Sequence, residues 1–280
     1  MPVRRPAVAG SFYPAERERL SSSIRECYLH PLGPGRLPPP DYTTEGAVAC
    51  VAPHAGYEYS GPVAAHSYLH VSSQRSPELA VVVSPNHYGV GSGVSSYLEG
   101  EWETPLGRMK VDRDAASRIA REAGIVDFDP ESHRMEHSLE VQLPFLQAIY
   151  GNSLPFVPIC IAFQDIETTG VLAQAIAKSV EGRRVVLVAS SDLTHYEPAG
   201  DATRKDMALI EAVNALDVGS FYSTLHRLGV TACGYGAIST VMQAARLLGF
   251  SRGELLKYAD SGDTTGDKSR VVGYASIRFV

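Results

Sequence analysis

Three apolar runs in this chain each end by delivering an imidazole. "VACVAPH" reaches His54, "VVVSPNH" reaches His87, and "VVLVASSDLTH" passes Asp192 to reach His195. Ala, Ser, Pro, Asn and Gly surround these histidines, so a backbone or a ligand can approach closely. One such histidine reads as a hydrogen-bonded structural residue. Three similar endings point to one shared polar site, because residues that follow separate parallel strands converge outside the carboxyl edge of the sheet.

A fourth segment fits the same place. "TACGYGAISTVMQAARLLG" sets Cys233 just before an amphipathic helix, with Gly234 and Gly236 removing side-chain bulk. A helix N-terminus favours the thiolate, the form that binds metal. The same cysteine also reads as a small buried residue at a tight turn. Cys27, Cys50 and Cys160 sit in apolar helical or strand contexts and read as structural. No CxxC spacing occurs, so neither a zinc ribbon nor a thioredoxin motif is indicated. Whether Cys27, Cys50 or Cys160 forms a disulfide stays open.

His54, His87 and Cys233 make a three-ligand set with an open position, the feature of catalytic metal sites. Two imidazoles and a thiolate suit iron, zinc or copper. His195 then reads as a general acid/base. Asp192 orients it or a metal-bound water, or else caps a helix. His137 and Glu140, three apart on one predicted helical face, line the same pocket or form a polar helix start. Tyr57 and Tyr59 stack on an aromatic substrate or serve in packing. "DSGDTTGDKSRVVGYAS" carries phosphate-friendly residues but lacks the GxxxxGK[ST] spacing, and reads as a turn into the last strand.

The elements that position these residues alternate along the chain. Apolar runs predict strands over 47–52, 79–84, 155–162, 184–190 and 271–279. Helical spacing predicts helices over 15–28, 61–71, 112–123, 136–150, 166–180, 201–216 and 234–249. This alternation predicts an α/β fold, a single three-layer domain over residues 1–280 with a mainly parallel central sheet and helices on both faces. "VSSYLEGEWETPLGRMKVD" reads as a hairpin insertion, and the Pro/Gly-rich stretch 31–46 as a surface excursion within the domain.

Composition excludes several function classes. The 280 residues, 44% hydrophobic and 20% charged, are enough for one large core. A formal net charge of −6 argues against a nucleic-acid binder. No stretch reaches the roughly 18 apolar residues of a membrane helix, and the N-terminus lacks the apolar core of a secretory signal. The expected location is the cytoplasm.

At "AVAGSFYP", "APHAGYEYSG", "SPNHYG", "EHSLEVQLPFL", "SSDLTHY", "TACGYGA" and "SGDTTGD…VVGYAS" the sequence closely resembles the Memo-like family, whose prokaryotic members are called AmmeMemoRadiSam system protein B. These segments run in order from residue 7 to residue 276 and together are highly specific. The resemblance implies a fold like that of the class III extradiol dioxygenases of the LigB type. It also implies a pocket of two histidines and a cysteine, falling on His54, His87 and Cys233 with Asp192 and His195 beside them. In the extradiol enzymes a carboxylate stands where this chain has Cys233, and the metal is Fe(II). A thiolate is softer, which shifts preference towards copper, zinc or a more reducing iron site.

Three functions follow as expectations. The first is a metal-dependent redox enzyme, dioxygenase-like, with iron or copper and a small-molecule or peptide substrate. The second is a non-catalytic metal- or peptide-binding protein that kept the pocket. The third is a zinc hydrolase in which His195 moves protons for a zinc-bound water. The family name further implies radical-SAM and AMMECR-type protein partners.

Overall fold

In the computed structural model, which describes residues 2–39, 44–74 and 76–280, strands and helices alternate along the chain. The first half runs β1 (Val3–Arg4), α1 (Arg17–Leu29), β2 (Ala47–Ala52), α2 (Tyr57–Val71), β3 (Leu79–Pro85), β4 (Val94–Ser96), β5 (Glu101–Thr104), β6 (Gly107–Lys110) and α3 (Arg113–Ala123). Next come β7 (Asp127–Phe128), α4 (Glu131–Arg134), α5 (Leu143–Tyr150), β8 (Phe156–Ile161), α6 (Ile166–Val180), β9 (Val185–Ser190) and β10 (His195–Glu197). The chain finishes with α7 (Ala199–Asn214), α8 (Val218–Leu228), α9 (Tyr235–Leu247), β11 (Gly253–Asp260), α10 (Gly262–Thr265) and β12 (Val271–Phe279).

One sheet has the order β10-β12-β2-β9-β3-β8-β4-β7, with β11 paired to β12. Its centre, β2, β9, β3 and β8, is parallel. These four strands are buried along almost their whole length, which is why they read as unbroken apolar runs. Alternate residues feed two cores. Ala49, Val51, Val81, Val83 and Leu187 face the layer packed by α3, α6, α7, α8 and α9. Val48, Cys50, Val82, Val186 and Val188 face the layer of α1, α2 and α5. The three-layer arrangement is therefore as expected from the sequence.

The sheet is mixed, and its outer strands differ from the centre. β12 runs antiparallel to β2, β10 and β11, and β4 runs antiparallel to β8. β11 and β12 are antiparallel because only the short α10 and its flanking turns separate them, too little chain for a crossover. The expected hairpin exists as β5–β6, and β1 extends it into a small separate sheet, while Val94–Ser96 joins the main one. The helix predicted over 136–150 forms only from Leu143, where Pro144 occupies the first turn. Residues 136–139 are irregular and lead into a 3₁₀ turn at Glu140–Gln142. Residues 40–43 of the predicted excursion lie outside the described residues.

Aspartates cap three helices on one face: Asp112, Asp165 and Asp217 accept from the Ala115, Thr168 and Ser220 amides. Each such cap stabilises by about 1 kcal/mol.

Candidate metal centre

Parallel register brings the strand ends together. Ala52 pairs with Ser190, Val83 with Ala189, and Pro85 with Ile161, so β2, β9, β3 and β8 finish at one edge. From that edge the loops deliver His54 and His87, whose ring centroids are 5.2 Å apart and nearly perpendicular. Cys233, just before α9, reaches the same point, with its Sγ 3.1 Å from His54 Nε2. One donor atom from each of His54, His87 and Cys233 lies within 4.8 Å of the others.

The donor set fits a metal ion. Ligands held about 2.0–2.3 Å from one ion in a tetrahedral arrangement stand roughly 3.5 Å apart, and here Cys233 Sγ and His54 Nε2 are 3.1 Å apart with all three donors within 4.8 Å. Each imidazole is also anchored through Nδ1, which in His54 is the nitrogen turned away from Cys233. His54 Nδ1 lies 2.9 Å from Ser190 Oγ, and His87 Nδ1 lies 2.9 Å from Glu136 Oε1. Such partners on the far ring nitrogen are typical of ligating histidines.

Local sequence explains why Cys233 can come so near. A Cβ on Gly234 would strike the Ser190 carbonyl and stand 2.9 Å from Ser191 Cβ. On Gly236 it would stand 2.7 Å from Gln164 Cβ. Gln164, from the loop after β8, then grips this segment with both ends of its amide. Its Nε2 donates to Cys233 O at 3.0 Å, and its Oε1 accepts from Gly236 N at 2.7 Å.

The electrostatics differ from residue to residue. Burial, reinforced by His87 and His137, holds the His54 pKa well below the ordinary histidine value, so the ring is neutral and able to ligate. Burial opposes charge on His87 too, but the hydrogen bond and charge of Glu136 outweigh it and raise its pKa. A metal bound there would compete with a proton. Burial works against the Glu136 carboxylate, yet His87 and the amides of Ser138 and His87 keep it well below the usual range. Burial, then the Asp192 carboxylate, pushes the Cys233 thiol up. Burial thus opposes the thiolate that the helix terminus favours, and a bound cation would shift the balance back towards it.

Asp192 is buried, and its Oδ1 accepts the backbone amide of His54 at 2.8 Å. It thus fixes the loop carrying His54, and it is neither a helix cap nor hydrogen-bonded to His195. Burial pushes its pKa up to about 6, against the pull of the His54 amide and of the nearby histidines. His195, at the start of β10, is partly exposed and lies outside the cluster of ligand atoms. Its Nδ1 is 3.0 Å from the Thr231 carbonyl, an acceptor, so Nδ1 carries hydrogen and Nε2 is the open nitrogen.

The two residues paired in sequence, His137 and Glu140, part company. His137 stacks on His87 at 4.9 Å and meets His54 edge-on at 5.6 Å, so it borders the cluster. Glu140 is fully buried elsewhere, bound by Arg4, the Ala7 and Val8 amides and the Tyr13 hydroxyl. It anchors the N-terminal segment; the irregular backbone at 136–139 breaks the helical spacing that would have aligned it with His137. Tyr57 likewise leaves the pocket set. It packs between Tyr13 and Phe145 and donates to Val141 O at 2.8 Å. Tyr59, in contrast, is 37% exposed.

Sequence reasoning missed Glu136, Ser138, Gln142, Gln164 and Ser190. Only Glu136 left a signal, as a carboxylate adjoining His137 in "MEHSLE". The others act through hydrogen bonds that depend on the assembled loops. A second group of donors, His87, Glu136 and His137, also lies within 4.8 Å. Its carboxylate is already taken by His87 and Ser138. Among the described residues no helix is long and apolar enough to cross a membrane.

Known proteins agree with this architecture. A crystal structure of an uncharacterized protein from Escherichia coli K12 superposes with a TM-score of 0.57, covering 83% of this chain and 99% of that one. At 16% identity that likeness speaks for the fold alone. Much nearer in sequence are MEMO1 family proteins of Methanopyrus kandleri and Nitrosopumilus maritimus, 46% and 45% identical, each over 99% of this chain. They are matched over 98% and 100% of their own lengths. The MEMO1 family protein of Aeropyrum pernix is 46% identical, again over 99% of this chain and 100% of its own. The sequence profile described as Memo-like protein matches residues 4–278. With nearly every residue matched, the chain belongs to the Memo-like protein family.

Proposed function

We propose that this protein is a metal-dependent redox enzyme, dioxygenase-like, using iron or copper at His54, His87 and Cys233. The observation that carries this reading is the meeting of those three donors within 4.8 Å, with both imidazoles anchored through Nδ1. Bound iron or copper would supply one-electron chemistry at an open coordination position.

The chain's own residues supply the rest. His195 presents Nε2 with Nδ1–H tied to Thr231 O, so Nε2 takes a proton from a substrate hydroxyl and later returns it. Asp192 keeps the His54 loop in place through the His54 amide. Buried Ser190 and Glu136 keep the imidazoles from rotating. A cytoplasmic location, a small-molecule or peptide substrate, and radical-SAM and AMMECR-type partners complete the proposal.

The test is metal analysis of tag-free protein purified without chelators, followed by oxygen uptake with a reductant. About one iron or copper per chain, with uptake lost in His54→Ala, supports the reading. Zinc alone with no oxygen uptake would favour the hydrolase instead.

A further inference from the structure

Ser190, the last residue of β9, has its Oγ 2.9 Å from His54 Nδ1. The hydroxyl also meets Gln142 Nε2 at 2.8 Å and the Ser138 carbonyl at 2.6 Å. Ser138, Gln142 and Ser190 are all buried, so these groups must satisfy one another.

Counting hydrogens settles the direction of every bond. Pro53 O can only accept, and Gln142 Nε2 lies 3.0 Å from it. The amide therefore turns its NH₂ there and its oxygen to the Tyr68 hydroxyl, 2.6 Å away. One amide hydrogen goes to Pro53 O and the other to Ser190 Oγ. Ser190 has a single hydrogen, and the Ser138 carbonyl can only receive it. The remaining bond must then be donated by the ring, which puts hydrogen on His54 Nδ1. Nε2 is left bare, facing Cys233 Sγ.

We infer that Ser190 is a positioning residue that locks His54 as the Nδ1–H tautomer, with Nε2 presented to the metal. Its functional consequence rests on the proposed reading of His54 as a ligand, whereas the tautomer belongs to the metal-free fold. Ser138 extends the arrangement to the second imidazole. Its amide and hydroxyl both donate to Glu136 Oε1, at 2.9 and 2.7 Å, and that carboxylate holds His87. One short stretch, Glu136–Gln142, thus aligns both rings.

The experiment uses the full chain, metal-free and ¹⁵N-labelled at histidine, with zinc as a diamagnetic probe. Wild type should show His54 Nδ1 protonated and Nε2 bare. Ser190→Ala removes the acceptor, so the Nε2–H form should appear and zinc affinity should fall 10- to 100-fold, the usual effect of losing a ligand's orienting partner. Gln142→Leu removes a donor to Ser190 but leaves its lone pairs for the ring; it should keep the wild-type tautomer. A bare Nδ1 in wild type overturns the inference, as does Ser190→Ala with wild-type tautomer and affinity. Equal tautomer loss in both variants would reduce the effect to general loosening and also overturn it. The stated tautomers in a protein that takes up no zinc would uphold the inference while refuting the metal-centre reading.

Discussion

Cys233 Sγ stands 3.1 Å from His54 Nε2 although 179 positions separate the two residues in sequence. Neither is brought there by its neighbours in the chain. Parallel pairing of β2 with β9 sets the His54 loop beside Ser191 and Asp192, and Gly234 lets the Cys233 loop settle onto that same edge.

Cys233→Ser should therefore lose tight metal binding, since a hydroxyl is a far weaker ligand than a thiolate for iron, copper or zinc. Cys160→Ser should keep it, because Cys160 Sγ is buried against the Pro85 and Ser132 carbonyls. Metal content after dialysis separates the two. Equal retention would make Cys233 a packing residue.

Gly234→Ala should destabilise by about 1–3 kcal/mol, the usual cost of an added group where backbone is already in contact. The new methyl would meet the Ser190 carbonyl, which belongs to a central strand and cannot move aside. Thermal unfolding checks this, and an unchanged midpoint would show that the contact can relax.

His195→Ala should retain the metal and lose about 10²–10⁴-fold of any turnover, the contribution of a general acid/base. His54→Ala and His87→Ala should lose both. Loss of metal in His195→Ala would instead make it a ligand.

Stability should fall in acid because of one buried histidine, His133. His133 is fully buried among Tyr97 and Trp102, and burial with the nearby Arg4 lowers its pKa from 6.5 to about 3. Between those values the unfolded chain takes up a proton that the fold refuses, so stability drops as pH falls, by up to about 1.4 kcal/mol per unit. It should level off for this group below about pH 3. His133→Gln should show a shallower loss between pH 6.5 and 4 in denaturant titrations. An identical slope would exclude His133 as the source.

The centre of the fold was legible because β2, β3, β8 and β9 are buried on both faces and so appear as pure apolar runs. The histidines at their ends were legible for the same reason. β11 was not, since five of its eight residues are only partly buried and "GELLKYAD" mixes charge with apolar groups. The stretch Glu136–Leu139 misled, as its helical-looking spacing continues into α5 while its backbone bends to place Glu136 on His87. Ser190, Gln142 and Gln164 could not be found from sequence, because a serine or an amide becomes a positioning group only through partners that distant loops supply.

One metal ion should sit between His54, His87 and Cys233. X-ray absorption at the edge of the bound metal, on the loaded full-length protein, tests it most directly. One sulfur scatterer at about 2.3 Å with nitrogen neighbours at about 2.0–2.1 Å is the predicted result, and the sulfur should vanish in Cys233→Ser. Wild-type metal with no sulfur neighbour, or a sulfur signal unchanged by Cys233→Ser, would rule out a metal held by Cys233.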